Sequence, residues 1–78
     1  MADLSHKQEQ ALEYPVRKQI FEWLKEKPNP VSVGSMLDAV DGLRDYAAAF
    51  YHVQVLVDAE LVEKVWGTNL FRVVEVSS

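Results

Sequence analysis

The chain has 78 residues, a net charge of −4, 49% apolar and 26% charged side chains, and no cysteine. A chain of this size buries only about 60% of the surface that its unfolded form exposes, so we expect one small domain (1–78) with little room for a walled substrate cavity. The lack of cysteine excludes disulfides, thiolate zinc sites and cysteine nucleophiles, and it suits a reducing cytoplasm.

Neither a signal peptide nor a membrane span is predicted. The stretch MADLSHKQEQ is polar and charged, and the longest unbroken apolar run is Tyr46 to Tyr51. A membrane span needs roughly 20 apolar residues. We therefore expect a cytoplasmic protein.

The surplus negative charge is confined to the middle of the chain. Residues 1–30 contain five basic and five acidic side chains, and residues 61–78 contain two of each, so both segments are neutral. A protein that binds nucleic acid usually shows a basic surface, because much of its affinity comes from neutralising phosphates. Residues 31–60 contain one basic residue, Arg44, and five acidic residues, so this segment has the whole net charge of −4. The acidic residues are Asp38, Asp41, Asp45, Asp58 and Glu60.

Two helices are predicted in the first third of the chain. Ser5 followed by Gln8 forms a capping-box pattern and predicts a helix over about residues 5–13. Pro15 favours the first turn of a second helix, where an amide donor has no helical partner in any case. This helix ends by Lys27, before the prolines of KPNP. Its apolar stripe consists of Val16, Ile20, Trp23 and Leu24.

A helix-turn-helix pattern follows. VSV (31–33) predicts a very short strand, and Ser32 has the side chain of an N-cap for a third helix. The third helix has the apolar face Val33, Met36, Leu37 and Val40. Asp41-Gly42 indicates a turn, and a fourth helix is predicted from about Leu43 to Ala59. The predicted inward face of the fourth helix is Tyr46, Ala49, Phe50, Val53, Leu56 and Val57.

The last third predicts a β-hairpin. LVEKVW and LFRVVEV are rich in β-branched and aromatic residues, and Gly67-Thr68-Asn69 separates them. Two registers stay open. Pairing Trp66 with Leu70 would place Lys64 opposite Arg72, an unfavourable pair of like charges. A shift of one residue would remove that pair and exchange the two faces.

These elements predict an α+β, mostly helical domain, namely a winged helix-turn-helix of three to four helices with a C-terminal β-hairpin wing. Two segments resemble ArsR-like prokaryotic winged-helix transcription regulators. ALEYPVRKQIFEWL resembles the opening of that family, and YHVQVLVDAELVEKV resembles its recognition helix and first wing strand. The resemblance implies a homodimer that binds double-stranded DNA, with helix 43–59 in the major groove and the 66–70 wing beside it.

The chain departs from this family at the end of the predicted recognition helix. Where relatives have alanine-glycine, this chain has Ala59-Glu60. Glycine is preferred at a left-handed helix C-cap, so a glutamate there is expected to cost roughly 1 kcal/mol or more. The chain also lacks the cysteine and histidine clusters of the metal-sensing members. We therefore expect neither a metal site nor a cofactor.

The candidate DNA contacts lie in the predicted recognition helix and the wing. Arg44 is the best single candidate, because a guanidinium at the helix start can bind guanine or a phosphate; an ion pair with Asp41 or Asp45 is the equal alternative. Alanines suit thymine methyls, and a glutamine can reach a base or a phosphate. The full set is Arg44, Tyr46, Ala47, Ala48, Tyr51, His52, Gln54, Thr68 and Asn69.

Two further groups of residues have a structural and a functional interpretation. Arg17 and Lys18 can contact phosphate, although a solvated face is the expected role. The apolar residues Leu4, Ala11 and Leu12, together with Tyr14, can pack against a second copy or merely cover the core.

No catalytic pattern is present. The sequence has no glycine-rich phosphate loop, no metal-ligand spacing and no Ser-His-acid set, so we do not expect an enzyme. The competing hypothesis is a protein-interaction module that contacts a regulator or a polymerase subunit through Tyr51, Val55 and the acidic surface. The missing basic patch favours this alternative, whereas the Tyr-His motif favours DNA, which is the leading hypothesis.

Overall fold

The computed structural model describes residues 6–74. Over this range the chain is an α+β domain with four helices and a three-stranded antiparallel sheet. In chain order, the elements are α1 (His6–Ala11), α2 (Pro15–Lys25), β1 (Val31–Ser32), α3 (Val33–Ala39), α4 (Tyr46–Asp58), β2 (Val62–Lys64) and β3 (Leu70–Val73). The predicted cap Ser5, and Leu4 of the predicted dimer contact, lie outside the described residues.

The first two helices form in the predicted places. Helix α1 is shorter than predicted at its C-terminal end, because it stops at Ala11. Pro15 occupies the first turn of α2, and α2 ends at Lys25, before the prolines. Of the predicted apolar stripe, Ile20 and Leu24 are buried, while the other two members, Val16 and Trp23, are half-buried against the core.

Ser32 joins the short strand β1 to helix α3. Its Oγ accepts a hydrogen bond from the amide of Ser35 at 3.2 Å, which confirms the predicted N-cap. The turn after α3 is also confirmed, because Gly42 has a φ of 95°. A Cβ atom at Gly42 would lie 3.1 Å from Val16 Cγ2, so this turn packs closely against α2. The buried residues of α3 and its cap are Val33, Met36 and Val40.

Helix α4 begins at Tyr46, so the predicted start at Leu43 is wrong. The Asp45 carboxylate accepts a hydrogen bond from the amide of Ala48 at 2.8 Å. The backbone of Asp45 is extended, with φ −159° and ψ 176°, as an N-cap requires. Arg44 therefore precedes the cap and is not part of the helix.

The C-terminal end of α4 has the left-handed backbone that was predicted for Ala59-Glu60. Glu60 has a φ of 64°. The amide of Leu61 donates to the Leu56 carbonyl at 3.0 Å, and the amide of Glu60 donates to the Val57 carbonyl at 2.9 Å. These two bonds form a Schellman motif. Glu60 thus has a left-handed backbone conformation that glycine would adopt without a steric cost.

The buried side of α4 is narrower than predicted. Ala49, Val53 and Leu56 are fully buried against α2, α3 and β2, and Val57 is half-buried. Tyr46 and Phe50, however, are 56% and 44% exposed, so the prediction that they face the core is wrong. The neighbouring elements cover only one ridge of α4, on which the three buried residues are spaced four and three positions apart. Tyr46 and Phe50 lie further round the helix and are exposed to solvent.

The three strands are ordered β1-β3-β2, so β1 adds a strand to the predicted hairpin. Lys64 pairs with Phe71 and Glu63 pairs with Arg72. This is the register that avoids the like-charge pair. Opposite charges now face each other, and Arg72 Nε donates to the Glu63 carboxylate at 2.6 Å.

Candidate nucleic-acid interface

The exposed side of α4 has aromatic edges around a small, polar centre. Because each residue of a helix advances about 100°, Tyr46 and Phe50 share one edge and Tyr51 lies on the opposite edge. The rings of Tyr46 and Phe50 are stacked, with centroids 6.5 Å apart and 8° between their planes. We name this surface the α4 face, and it consists of Tyr46, Ala47, Phe50, Tyr51, Gln54 and Asp58.

The α4 face is exposed and carries no positive charge. All six of its residues are exposed, and Tyr51 is the most exposed of its aromatic residues at 60%. Helix α4 contains neither lysine nor arginine. In the centre of the face, Gln54 Nε2 donates to the Asp58 carboxylate at 3.5 Å. Ala48 is half-buried and lies outside this face.

Arg44 is exposed just before the N-terminus of α4. Among residues 6–74 there are two salt bridges, Lys25 with Glu22 and Arg72 with Glu63. The ion pair of Arg44 with Asp41 or Asp45, considered from the sequence, is therefore not formed. Arg44 is therefore not held by an ion pair, and it precedes by one residue the Asp45 that caps the helix.

His52 is half-buried on the inner side of α4 and belongs to a cluster around the buried Arg17. Arg17 Nε donates to His52 Nδ1 at 3.3 Å, and Arg17 Nη1 donates to the Ala11 carbonyl at 3.2 Å. The guanidinium carbon also lies 4.8 Å from the centre of the Tyr14 ring and 5.9 Å from that of Tyr51. We name these five residues the Arg17 cluster; it joins α1, α2 and α4.

The predicted solvated position of Arg17 is wrong, because this residue is only 7% exposed. The physical reason lies in Pro15. A carbonyl near the end of a helix needs a donor from outside the helix, and the residue four positions after Ala11 is a proline without an amide hydrogen. Arg17 supplies that donor. Its neighbour Lys18 is exposed, as expected.

The Arg17 cluster fixes the protonation state of His52. Burial lowers the pKa of His52 below its ordinary value of 6.5, and the neighbouring Arg17 charge lowers it further. The imidazole is therefore neutral at pH 7. Because Nδ1 accepts the bond from Arg17, the proton is on Nε2.

The hairpin loop combines one structural side chain with two exposed ones. Thr68 Oγ1 donates to the Val65 carbonyl at 2.8 Å and accepts from the Leu70 amide at 3.1 Å, so this hydroxyl shapes the turn. Asn69 is exposed, as its candidate role requires. Trp66 is 95% exposed and lies in the loop after β2, so its predicted place in the strand LVEKVW is wrong. The sequence signal for a loop position was the adjacent glycine.

The structure thus divides the predicted DNA contacts into three groups. Five are exposed at or just before α4, namely Arg44 and four residues of the α4 face (Tyr46, Ala47, Tyr51 and Gln54). The half-buried residues are Ala48, His52 and Thr68. The remaining one, Asn69, is exposed on the hairpin loop.

Neither a metal site nor a membrane span is found between residues 6 and 74. No three histidine, aspartate or glutamate side chains in this range are grouped so that they could hold a metal ion. No helix in the same range is both long and apolar enough to cross a membrane.

Comparison with known proteins gives no relative: no family model, no curated protein and no solved structure matches the chain. The function is therefore inferred from the geometry of the described residues.

Proposed function

We propose that this chain is a winged-helix domain that binds double-stranded DNA and regulates transcription, with α4 in the major groove and the hairpin loop beside it. The observation that carries this proposal is the order α1-α2-β1-α3-α4-β2-β3 combined with the sheet order β1-β3-β2. Two helices joined by a short turn precede a hairpin, which is the arrangement of winged helix-turn-helix domains.

The α4 face has suitable chemistry for a groove. A helix fits the major groove, and the small side chain of Ala47 allows close approach to a thymine methyl. The Gln54 amide can form two hydrogen bonds with adenine. The hydroxyls of Tyr46 and Tyr51, at the two edges, are suited to phosphate oxygens.

The charge distribution limits how this domain binds DNA. Near the α4 face, Arg44 supplies a positive charge, and Lys64 supplies another on the wing. Few phosphate contacts give weak non-specific affinity, so specific base contacts and a second copy of the chain must contribute. We propose a homodimer through the exposed Tyr14 and the half-buried Leu12; a molecular mass of two chains in light scattering is the expected result.

Selection from a pool of random duplexes tests the DNA proposal. We expect one enriched motif, and Gln54→Ala should weaken binding to that motif by about 1–3 kcal/mol, since one bidentate base contact is lost. Gln19→Ala, an exposed glutamine on α2, is the matched control and should bind like the parent chain. A pool without enrichment, or full binding by Gln54→Ala, would contradict the proposal.

A second function is favoured by the aromatic edges of the α4 face. A surface that combines exposed tyrosine and phenylalanine side chains with few charged ones is typical of the centre of a protein–protein interface. The alternative proposal is a module that binds a basic segment of a regulator or polymerase subunit through Tyr51 and its neighbours. Val55 is half-buried and contributes less to this surface than the sequence indicated. Arg44→Ala separates the two functions, because it should weaken DNA binding and leave binding of a basic protein intact.

A further inference from the structure

An open cavity of about 330 Å³ lies between α1, α2 and the C-terminal half of α4. Its polar lining is Lys7, Gln10, Arg17 and Asp58, and its apolar lining is Ala11, Val55 and Ala59. The volume lies at the lower end of the range for small-molecule sites.

Arg17 is the unusual member of this lining, because it is a buried cation without an anionic partner among residues 6–74. It is 7% exposed, and its hydrogen bonds go to the Ala11 carbonyl and to the neutral imidazole of His52. A buried charge is normally paired with an opposite charge, because removing it from water is costly. A guanidinium has five N–H donors, and a carboxylate accepts two of them in parallel.

We propose that the cavity binds a small organic carboxylate. Arg17 and Lys7 hold the carboxylate group, and the Gln10 amide provides a further donor. The hydrocarbon part of the ligand contacts the apolar lining, which includes two almost fully buried alanines.

The charge of the lining selects a monoanion. Lys7 and Arg17 contribute two positive charges and Asp58 contributes one negative charge, which leaves a single positive charge to be neutralised. A dianion such as phosphate would bring a surplus charge close to Asp58. This proposal does not rest on DNA binding, although the cavity shares Asp58 with the α4 face.

A titration of the full ¹⁵N-labelled chain with butyrate, followed by amide NMR, tests this site. Butyramide, which has almost the same shape and no charge, is the control ligand. We expect saturable shifts of the Ala11, Val55 and Ala59 amides with butyrate and none with butyramide. Inorganic phosphate should bind more weakly than butyrate.

Two variants locate the binding site. Lys7→Gln should raise the Kd for butyrate roughly three- to tenfold, and Lys18→Gln, the same change at an exposed lysine outside the cavity, should leave it unchanged. Arg17→Gln should abolish binding; if that variant unfolds, the Lys7→Gln result decides. Equal shifts with butyramide, tighter binding of phosphate, or equal effects of the two lysine variants would overturn the proposal.

Discussion

At the scale of single residues, Arg17 links three helices through contacts that depend on one proline. Pro15 starts α2 but leaves the Ala11 carbonyl without a helical donor, and the Arg17 guanidinium donates to that carbonyl. The same guanidinium donates to His52 on α4. The helix that carries the α4 face is thus held by a bond that requires an unprotonated imidazole.

The stability of the domain should therefore depend on pH through His52. Its pKa in the folded chain lies below 6.5, so at moderately acidic pH the unfolded chain binds a proton that the folded chain does not. The contribution of the neutral His52 to the free energy of unfolding should be fully present above pH 6.5. It should decrease as the pH falls from there towards the folded pKa. Urea unfolding between pH 8 and pH 5 measures this loss.

Two variants identify the group responsible for that loss. His52→Gln should remove this part of the pH dependence, because its amide does not titrate. His6→Gln, at an exposed histidine, should retain it. The same pH dependence in both variants would contradict the assignment to His52. The charged and titratable groups facing His52 among the described residues are Arg17, Tyr14 and Tyr51.

Glu60 offers a test of backbone strain. Because its φ is 64°, Glu60→Gly should raise the free energy of unfolding by about 1 kcal/mol. Glu60→Ala is the matched control, since it removes the charge and retains the Cβ atom that causes the strain. If alanine stabilised the chain as much as glycine, the carboxylate near the end of the helix, and not the left-handed backbone, would be the cause. Thermal unfolding of the three chains measures the difference.

At the scale of elements, α4 shows which features the sequence could predict. Apolar periodicity and turn residues were sufficient to predict that the four helices exist and in which order they follow. The helix start was misplaced because Leu43 extends the apolar pattern, whereas the boundary depends on one hydrogen bond from Ala48 to Asp45. The exposure of Tyr46 and Phe50 could not be predicted, because α4 has large apolar residues on several sides and its sequence does not indicate which of them is covered.

The hairpin and the Arg17 cluster needed contacts between distant residues. Both registers satisfied the alternation of the strands, and the pairing of Glu63 with Arg72 distinguishes them in the structure. The burial of Arg17 had a sequence signal in the four-residue spacing from Ala11 to Pro15. Its partner His52, however, is 35 positions away in the sequence, so their contact could be identified only from the folded structure.

The Asp45 cap should affect stability and DNA binding in opposite directions. Asp45→Ala should lower the free energy of unfolding by about 1 kcal/mol, because the Ala48 amide loses its acceptor. It should also strengthen DNA binding, because a carboxylate beside Arg44 is removed. Asp38→Ala, at an exposed aspartate in α3, is the control and should change stability less. Equal effects of both variants on unfolding would mean that the cap does not stabilise α4.

At the scale of the whole molecule, the fold favours the proposed DNA binding and the acidic middle third of the chain disfavours it. The arrangement of helices and hairpin is consistent with the winged-helix layout on which the DNA proposal rests, while the net charge of −4 opposes phosphate binding. With Arg44 and Lys64 as the cations near the proposed interface, the slope of log K against log salt concentration should be only about −2. Such a domain would discriminate through base contacts more than through its affinity for the backbone.

The most direct measurement is an amide NMR titration of the full chain with mixed-sequence duplex DNA at low salt, repeated as the salt concentration is raised. We expect shifts at Arg44, along the α4 face and in the loop 66–69, and these shifts should weaken with salt. An absence of shifts at low salt, where the attraction to phosphate is strongest, would contradict DNA binding and favour the protein-interaction function of the same face.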